Sequence, residues 1–423
     1  MSSTIRILAA LVVGVIAGVV LSGLAPASVS PAVTVAKSVG GLWLDSLRMT
    51  VVPMIFVLVV TGVGATFGVV TAGGMTARTL VLFAILLLGA AIFGVLLMDA
   101  ILMVFPIPGA ASVAIRDAMA AGRVATPVAP PAADWLKGFI PANPVAAAAD
   151  GAIAPLVVFS LIFGFGVTRI AAPLRQSLLQ VLDAILQTLL VIVGWVLRAA
   201  PLGVASLAFV AAAQAGLATA GTLLHYALTG ALFCAILVLV LYPLTVVCSG
   251  VSVIRFARAA APAQLVAFST QSSVGSLPAM VEATTALGGE PAVAQVVLPL
   301  AVSLFRLGSA ASGGAIALYV ARLSGIALTP MQMGIAAVLS ALISLAAVGL
   351  PSQASFVTVM SPICLAVGAP LEALVLLMAV DSLPDAVRTV VNVTADISVT
   401  AISDRWRKAP ASAALGQEGV GGS

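Results

Sequence analysis

Charge is what this chain has least of: only 8% of its 423 residues are Asp, Glu, Lys or Arg. A water-soluble domain needs about a quarter of its residues charged to cover its surface. A soluble globular fold is therefore excluded. Histidine is nearly absent. His225 stands alone, at or near a helix entrance, so a histidine metal cluster and a histidine proton relay are excluded. A membrane hydrolase, which needs a pair such as Ser with His or two Asp in helical cores, has only this one histidine to draw on. The three cysteines, Cys234, Cys248 and Cys364, lie in apolar stretches without CxxC spacing and read as small hydrophobes rather than disulfides or metal ligands. No G-x-x-x-x-G-K-[ST] loop occurs, which removes ATP-driven transport by this chain alone. What fills the space is hydrocarbon: 62% hydrophobic residues and a mean hydropathy of +1.25. The chain reads as an all-α integral membrane protein of several spans.

The net charge of +4 is dispersed between apolar segments, with no nucleic-acid footprint. Arg6, Arg78, Arg169, Arg175, Arg255, Arg258, Arg405, Arg407 and Lys408 occupy one set of gaps. Lys37, Arg116, Arg123, Lys137 and Arg198 occupy the alternate set. The excess in the first set places both termini in the cytoplasm of a multi-pass inner (plasma) membrane protein. The apolar stretch 5–24 follows Arg6, and Ala25-Pro26-Ala27 imitates a signal cleavage site, but its length of nearly 20 residues fits a first transmembrane helix better.

Further apolar stretches recur near 41–69, 79–105, 152–171, 177–198, 203–214, 222–249, 292–322, 331–350, 356–368 and 371–402. The Ala/Pro-rich stretch 106–137 reads as an extracytoplasmic loop, mobile or only partly ordered, and 409–423 as a disordered tail. Residues 371–402 carry Asp381, Asp385, Arg388, Asn392 and Asp396. On one helix these five fall within a stripe roughly 80° wide and about 22 Å long. An ionisable side chain at mid-membrane costs at least ~2.5–3.5 kcal/mol, so five aligned polar groups require a polar pathway or binding site. Two polar runs, Ser269–Pro278 and Gly349–Ser355, break the apolar pattern in the same way, each followed by a long polar-studded helix. Irregular backbone at membrane depth must be buried in protein or line a cavity. Two repeats whose broken segments meet at a midplane site have this pattern. Two ordinary extramembrane loops are the plainer alternative.

At this point the residues resemble a known family. DSLPDAVRTVVNVTADISVTAI is similar to the D-x-x-x-D-x-x-R-T-x-x-N-V-x-G-D signature of the dicarboxylate/amino acid:cation symporters, which include glutamate and aspartate transporters. TQSSVGSLP is similar to the family's serine-rich hairpin tip. Weaker matches at 48–56, 140–151, 199–205 and 349–355 extend the resemblance over nearly the whole chain. The resemblance implies eight transmembrane helices, two re-entrant helical hairpins with inverted repeats, and a homotrimer. It divides the chain into a scaffold (1–78 and 138–214) and a transport domain (79–105 and 215–408). It also offers a substrate site. Arg388 would take a side-chain carboxylate, for which a guanidinium fork suits a planar anion. Asp385 would take an α-ammonium group, and Asn392 and Ser273 an α-carboxylate. Ser272, Ser309 and Thr389 would complete the pocket, and Pro351 and Ser352, in the second hairpin, would close over it.

Departures from the pattern bear on the coupling ion. The family's N-M-D-G-T becomes Phe305-Arg306-Leu307-Gly308-Ser309, which removes an amide and a carboxylate that help hold sodium, and Leu86 and Leu87 replace hydroxyl ligands. Asn392 and Asp396 remain as ion-binding candidates, with sodium at Asp396, and Arg306 adds a cation. Arg306 serves either coupling or an ion pair with Asp381 or Asp396. Asp381 and Asp396 serve either helix packing or ion binding. Asp99 and Asp183 mark an interface or helix ends, and Glu282 is structural rather than a proton carrier. No cofactor is expected beyond sodium or protons as coupling ions. The reading is not an enzyme but a secondary transporter of aspartate or glutamate, working by elevator-type alternating access with altered or reduced sodium coupling. Its partners are a small acidic substrate and the lipid bilayer. The rivals are a proton-coupled C4-dicarboxylate transporter and a transport-dead or channel-like homologue.

Overall fold

The computed structural model describes residues 3–24, 26–70, 74–108, 140–150, 153–215, 218–346 and 352–418, and no strand occurs among them. In chain order the helices are α1 (Ser3–Leu24), α2 (Pro26–Val70), α3 (Gly74–Val104), α4 (Pro144–Ala149), α5 (Ile153–Arg169), α6 (Ala172–Arg198), α7 (Ala200–Ala215) and α8 (Ala218–Ser249). They continue with α9 (Val253–Thr270), α10 (Leu277–Ala286), α11 (Pro291–Leu304), α12 (Leu307–Leu323), α13 (Pro330–Ala346), α14 (Ser352–Ala366), α15 (Leu371–Met378) and α16 (Ser382–Glu418). Within the described residues, five apolar stretches are long enough to cross a membrane: Arg6–Leu24, Arg78–Val104, Ala172–Arg198, Thr219–Ser249 and Pro291–Leu323. Lipid-facing hydrocarbon explains why Leu8, Val13, Ile16, Ile85, Leu96 and Trp195 lie on the surface.

The helices sort by their neighbours. α1 packs chiefly on α7, and α2 on α5, α6 and α7. In a second group α3 packs on α12 and α13, while α8, α9 and α11 gather around α16. Close approach rests on small residues, as in membrane helix interfaces generally. A Cβ on Gly14 would fall on the Ala205 carbonyl, and one on Gly94 in α3 would fall on the Ala311 carbonyl of α12. All of α12 except Arg322 is buried, and α12 is the centre of the second group.

Two long helices expected from the sequence are interrupted. The stretch 371–402 is not one helix: α15 ends at Met378, residues 379–381 form a turn, and α16 starts at Ser382. Pro384 explains the break, because it lacks the N–H that would bond back to the Val380 carbonyl and it tolerates only a helix's first turn. Asp381 therefore stands just before α16, where its carbonyl accepts the Asp385 N–H at 2.8 Å. The stretch 292–322 breaks likewise at Phe305 and Arg306, between α11 and α12. Gly308 N–H there donates at 2.8 Å to the Asn392 side-chain oxygen instead of to its own helix. At the other end of α16 the helix runs through Glu418 rather than stopping at 408.

Ser269–Pro278 forms the tip of a helix–turn–helix. α9 ends at Thr270, Gln271 adopts φ 52° as its C-cap, and α10 starts at Leu277. A positive φ is unusual for a side chain other than glycine. Here the Gln271 N–H still closes onto the Ala267 carbonyl at 2.9 Å and its amide reaches the Ser382 carbonyl at 3.3 Å. α13 and α14 pack on one another as a second pair, but residues 347–351 of their connection lie outside the described residues, as do 109–139 of the Ala/Pro-rich stretch.

Gly94→Ala should lower the thermal midpoint of the detergent-solubilised protein, since its Cβ meets backbone that cannot yield and overpacking costs about 1–3 kcal/mol. Gly89→Ala, five residues earlier with nothing within 4 Å of the new Cβ, should leave the midpoint unchanged or raised. Equal midpoints for the two variants would contradict the α3–α12 packing.

Candidate functional site

Arg388 projects from the second turn of α16 and is only 5% exposed. A buried guanidinium survives only when its charge and its N–H groups are answered. Its two terminal nitrogens grip Asp381 side by side, at 3.0 Å to one oxygen and 3.1 Å to the other. One of them also donates to Asp385 at 3.0 Å, and Nε donates to the Ser312 hydroxyl of α12 at 3.2 Å. Four of five N–H groups are thus engaged by described residues, and the fifth, on Nη2, is left over. The two aspartates differ. Asp381 is 5% exposed and also accepts the Tyr226 hydroxyl of α8 at 2.6 Å. Asp385 is more open, and among the described residues its side-chain donor is Arg388.

Below this cluster, Asn392 and Gly308 join α16 to the start of α12. A Cβ on Gly308 would sit 2.7 Å from the Arg388 carbonyl and 3.1 Å from the Asn392 oxygen. Glycine is required here because backbone meets backbone. Ser309, next along, is buried, and Thr389 bonds its hydroxyl back to the Asp385 carbonyl at 2.8 Å. At the first helical tip, Ser272 accepts the Gly275 N–H at 3.0 Å, and Ser273 is half-buried beside it. Gln271 ties this tip to the start of α16. Pro351 lies outside the described residues, and Ser352 opens α14.

Asp396, two turns beyond Arg388, is 1% exposed, and neither carboxylate oxygen has a hydrogen-bond partner among the described residues. Arg306, in the α11–α12 break, acts on Asp396 and Asp385 through its charge. Asp381, the other partner considered for it, is taken by Arg388 and Tyr226 instead. A hard cation such as sodium needs several oxygen ligands. Asp396 fits that chemistry. The positions around 305–307 do not: the Phe305 ring stacks on Phe83 of α3 with centroids 4.6 Å apart, and Leu307 and Leu87 are both buried.

The remaining ionisable residues stand apart. Asp99 of α3 pairs with Arg322 at the end of α12, while Asp183 and Glu282 are exposed. His225 Nε2 donates to the Phe105 carbonyl at 3.1 Å, and its Nδ1 faces the Tyr319 hydroxyl at 3.0 Å. Sequence reasoning passes over Tyr226, Ser312 and Phe83. Tyr226 has one visible signal, being among only three tyrosines and placed in an otherwise apolar stretch.

Known proteins share this chain's pattern over nearly its full length. The model of the sodium:dicarboxylate symporter family matches residues 4–406. The chain is similar to a proton/glutamate-aspartate symporter of Escherichia coli (strain K12), 28% identical over 414 residues that cover 95% of this chain and 92% of that protein. It is 26% identical over 411 residues to a proton/sodium-glutamate symport protein of Bacillus subtilis (strain 168), covering 95% and 92%. A C4-dicarboxylate transport protein of Laribacter hongkongensis is 25% identical over 406 residues, covering 94% and 89%.

Gly308→Ala should displace Arg388 and Asn392 together. The expected outcome is a loss of roughly tenfold or more in ligand affinity, of the order that overpacking by about 1–3 kcal/mol allows. Isothermal titration with aspartate and succinate checks it; unchanged affinity for whichever ligand the native protein binds would contradict the contact.

Proposed function

The chain belongs to the sodium:dicarboxylate symporter family, and we propose that it is a secondary transporter of acidic amino acids, aspartate or glutamate, driven by an ion gradient. It is a membrane transporter and not an enzyme. The observation that carries the substrate reading is the buried Arg388 fork with Asp385 beside it. A guanidinium recognises a planar carboxylate, and a neighbouring carboxylate recognises an ammonium. An acidic amino acid brings both groups. In this reading Asn392 and Ser273, the latter on the first tip, take the α-carboxylate, and Ser272 completes the pocket beside them. Ser309 and Thr389 line the pocket, and the second hairpin, at Pro351 and Ser352, closes it.

The expected architecture is eight transmembrane helices with two re-entrant hairpins. Helices α1, α2, α5, α6 and α7 form a scaffold in a homotrimer, and the group around α12 and α16 moves as the transport unit. The separation of helix neighbours into those two groups supports the division. We place the protein in the inner membrane with both termini cytoplasmic, following the basic residues.

Coupling is proposed to use fewer sodium ions than sodium-coupled relatives, or protons or exchange in their place. The support is the Phe83–Phe305 stack and Leu307 where oxygen ligands are required, with Arg306 alongside. Asp396 remains able to take a cation. A second reading, a C4-dicarboxylate carrier, is favoured by the near-full-length similarity to proteins of that name.

Three outcomes test these statements in proteoliposomes under separately imposed sodium and proton gradients. Arg388→Ala should abolish uptake of acidic substrates, leaving at most neutral amino acids; unchanged aspartate or succinate affinity would remove Arg388 from the site. Succinate should displace bound aspartate only at higher concentration, and the reverse order would favour the dicarboxylate reading. Aspartate affinity should vary weakly with sodium, whereas a steep multi-ion dependence would show that the apolar residues at 305 and 307 do not matter.

A further inference from the structure

Asp396 is a buried carboxylate that hydrogen bonds do not answer. It is 1% exposed, and neither of its oxygens has a hydrogen-bond partner among the described residues. An ionised carboxylate is tolerated at such a place only where a cation answers it. The family's description names sodium. The residues on either side of Arg306, however, are Phe305 and Leu307, both buried, and neither side chain carries an oxygen for a hard cation.

The α11–α12 break brings a different cation. The Arg306 carbonyl is held there from two helices: the Ser344 hydroxyl of α13 and the Ala310 N–H of α12 both donate to it at 3.0 Å. Two residues on, the Gly308 N–H donates to the Asn392 side chain at 2.8 Å and so ties the break to α16. Asp396 lies four residues beyond Asn392, one turn and about 6 Å further along the same side of α16. The Arg306 guanidinium acts through its charge on both Asp385 and Asp396. The two carboxylates depend on it unequally. Asp385 also has Arg388 at 3.0 Å, whereas Arg306 is the one charged group that acts on Asp396 among the described residues.

We infer that Arg306 is a tethered counter-cation for Asp396, carrying within the chain the charge that a mobile sodium ion would otherwise bring there. A mobile ion is bound on one side of the membrane and released on the other, so its gradient supplies energy. A guanidinium fixed to the chain is present in the loaded and the empty protein alike and is never released. It neutralises Asp396 without coupling transport to an ion at that position. Removing its charge should therefore give the protein an ion requirement it does not otherwise have. The statement about coupling rests on the transporter reading, while the statement about charge does not.

The test measures thermal midpoints of the purified, detergent-solubilised full chain in sodium chloride and in choline chloride at equal ionic strength. The native protein should melt alike in both. Arg306→Gln removes the charge and offers an amide oxygen in its place. It should melt lower than the native protein in choline and recover in sodium, because an ion that binds only the folded state raises its midpoint. Adding Asp396→Asn to Arg306→Gln removes the stranded anion, so the double variant should melt higher than the single one in choline and should not respond to sodium. Arg306→Lys, which keeps the charge, should not acquire the response. In proteoliposomes, sodium should stimulate aspartate uptake by Arg306→Gln roughly tenfold or more, given the cost of an unanswered buried charge, and should leave native uptake nearly unchanged. A native midpoint that rises with sodium and loses that rise in Asp396→Asn overturns the inference, as does an Arg306→Gln variant that responds to sodium no more than the native protein. If Arg306→Gln is not recovered folded, the double variant should be, and failure of both also overturns the inference. A native protein that takes up neither aspartate nor succinate overturns the transport reading, and the midpoints still decide which cation answers Asp396.

Discussion

A positive charge that cannot leave the protein's interior organises this molecule. Arg388 sits on α16, screened from solvent, and its guanidinium must be neutralised and hydrogen-bonded where it stands. Three helices contribute to that: α16 through Asp385, α12 through Ser312, and α8 through the tyrosine that steadies Asp381. Removing one partner from such a cluster leaves an uncompensated buried charge, which typically costs about 3–5 kcal/mol. The helix breaks make sense against this demand. The turn at 379–381 brings the Asp381 carboxylate across the end of α16, and the break at 305–306 lets α12 come close enough for Gly308 to touch the Arg388 backbone.

Much of this is legible in the amino-acid sequence. Composition suffices for a helical membrane protein, because so apolar a chain has no means of covering a soluble surface. The spacing of Asp381, Asp385, Arg388, Asn392 and Asp396 suffices to put polar groups on one side of a segment, since four- and three-residue steps survive a break placed at the segment's first member. What spacing does not carry is connectivity across helices. Pro384 is visible as a helix breaker, yet the turn it makes before α16 is masked because the apolar run continues through it. The break at Phe305 and Arg306 depends on Asn392, more than eighty residues away, offering an oxygen to Gly308. Tyr226 stands out only as one of three tyrosines; its contact with Asp381 exists only once α8 lies against α16.

The departures from the family pattern also acquire a physical form. Phe305 is not merely a missing amide: it fills the space with a second ring and meets Phe83 face to face. Aromatic stacking and apolar packing stabilise that region, and its side chains offer no oxygen to a cation. Asp396 shows the opposite case, a carboxylate at 1% exposure without a hydrogen-bond donor among the described residues. One place is filled by packing, and the other holds a polar group that packing alone does not satisfy. Arg306 lies between them in sequence and acts on Asp396 through its charge.

The burial of α12 limits how this sequence can drift. Gly94 faces the Ala311 backbone, Gly313 faces Ser340 and Ile363, and Gly314 faces Val95 and Ala336. None of these glycines can gain a side chain while its neighbour stays as it is. Gly313, which faces side chains, can change only in company, a larger residue on one helix matched by a smaller one across the gap. Gly94, which faces backbone, and Gly314, which meets the Ala336 backbone as well as the Val95 side chain, have no such simple exchange. Divergence along α12 should therefore proceed in coupled pairs spanning α3, α12, α13 and α14, at a slower tempo than on the lipid-facing sides of α1 and α6, where each position is free to change by itself.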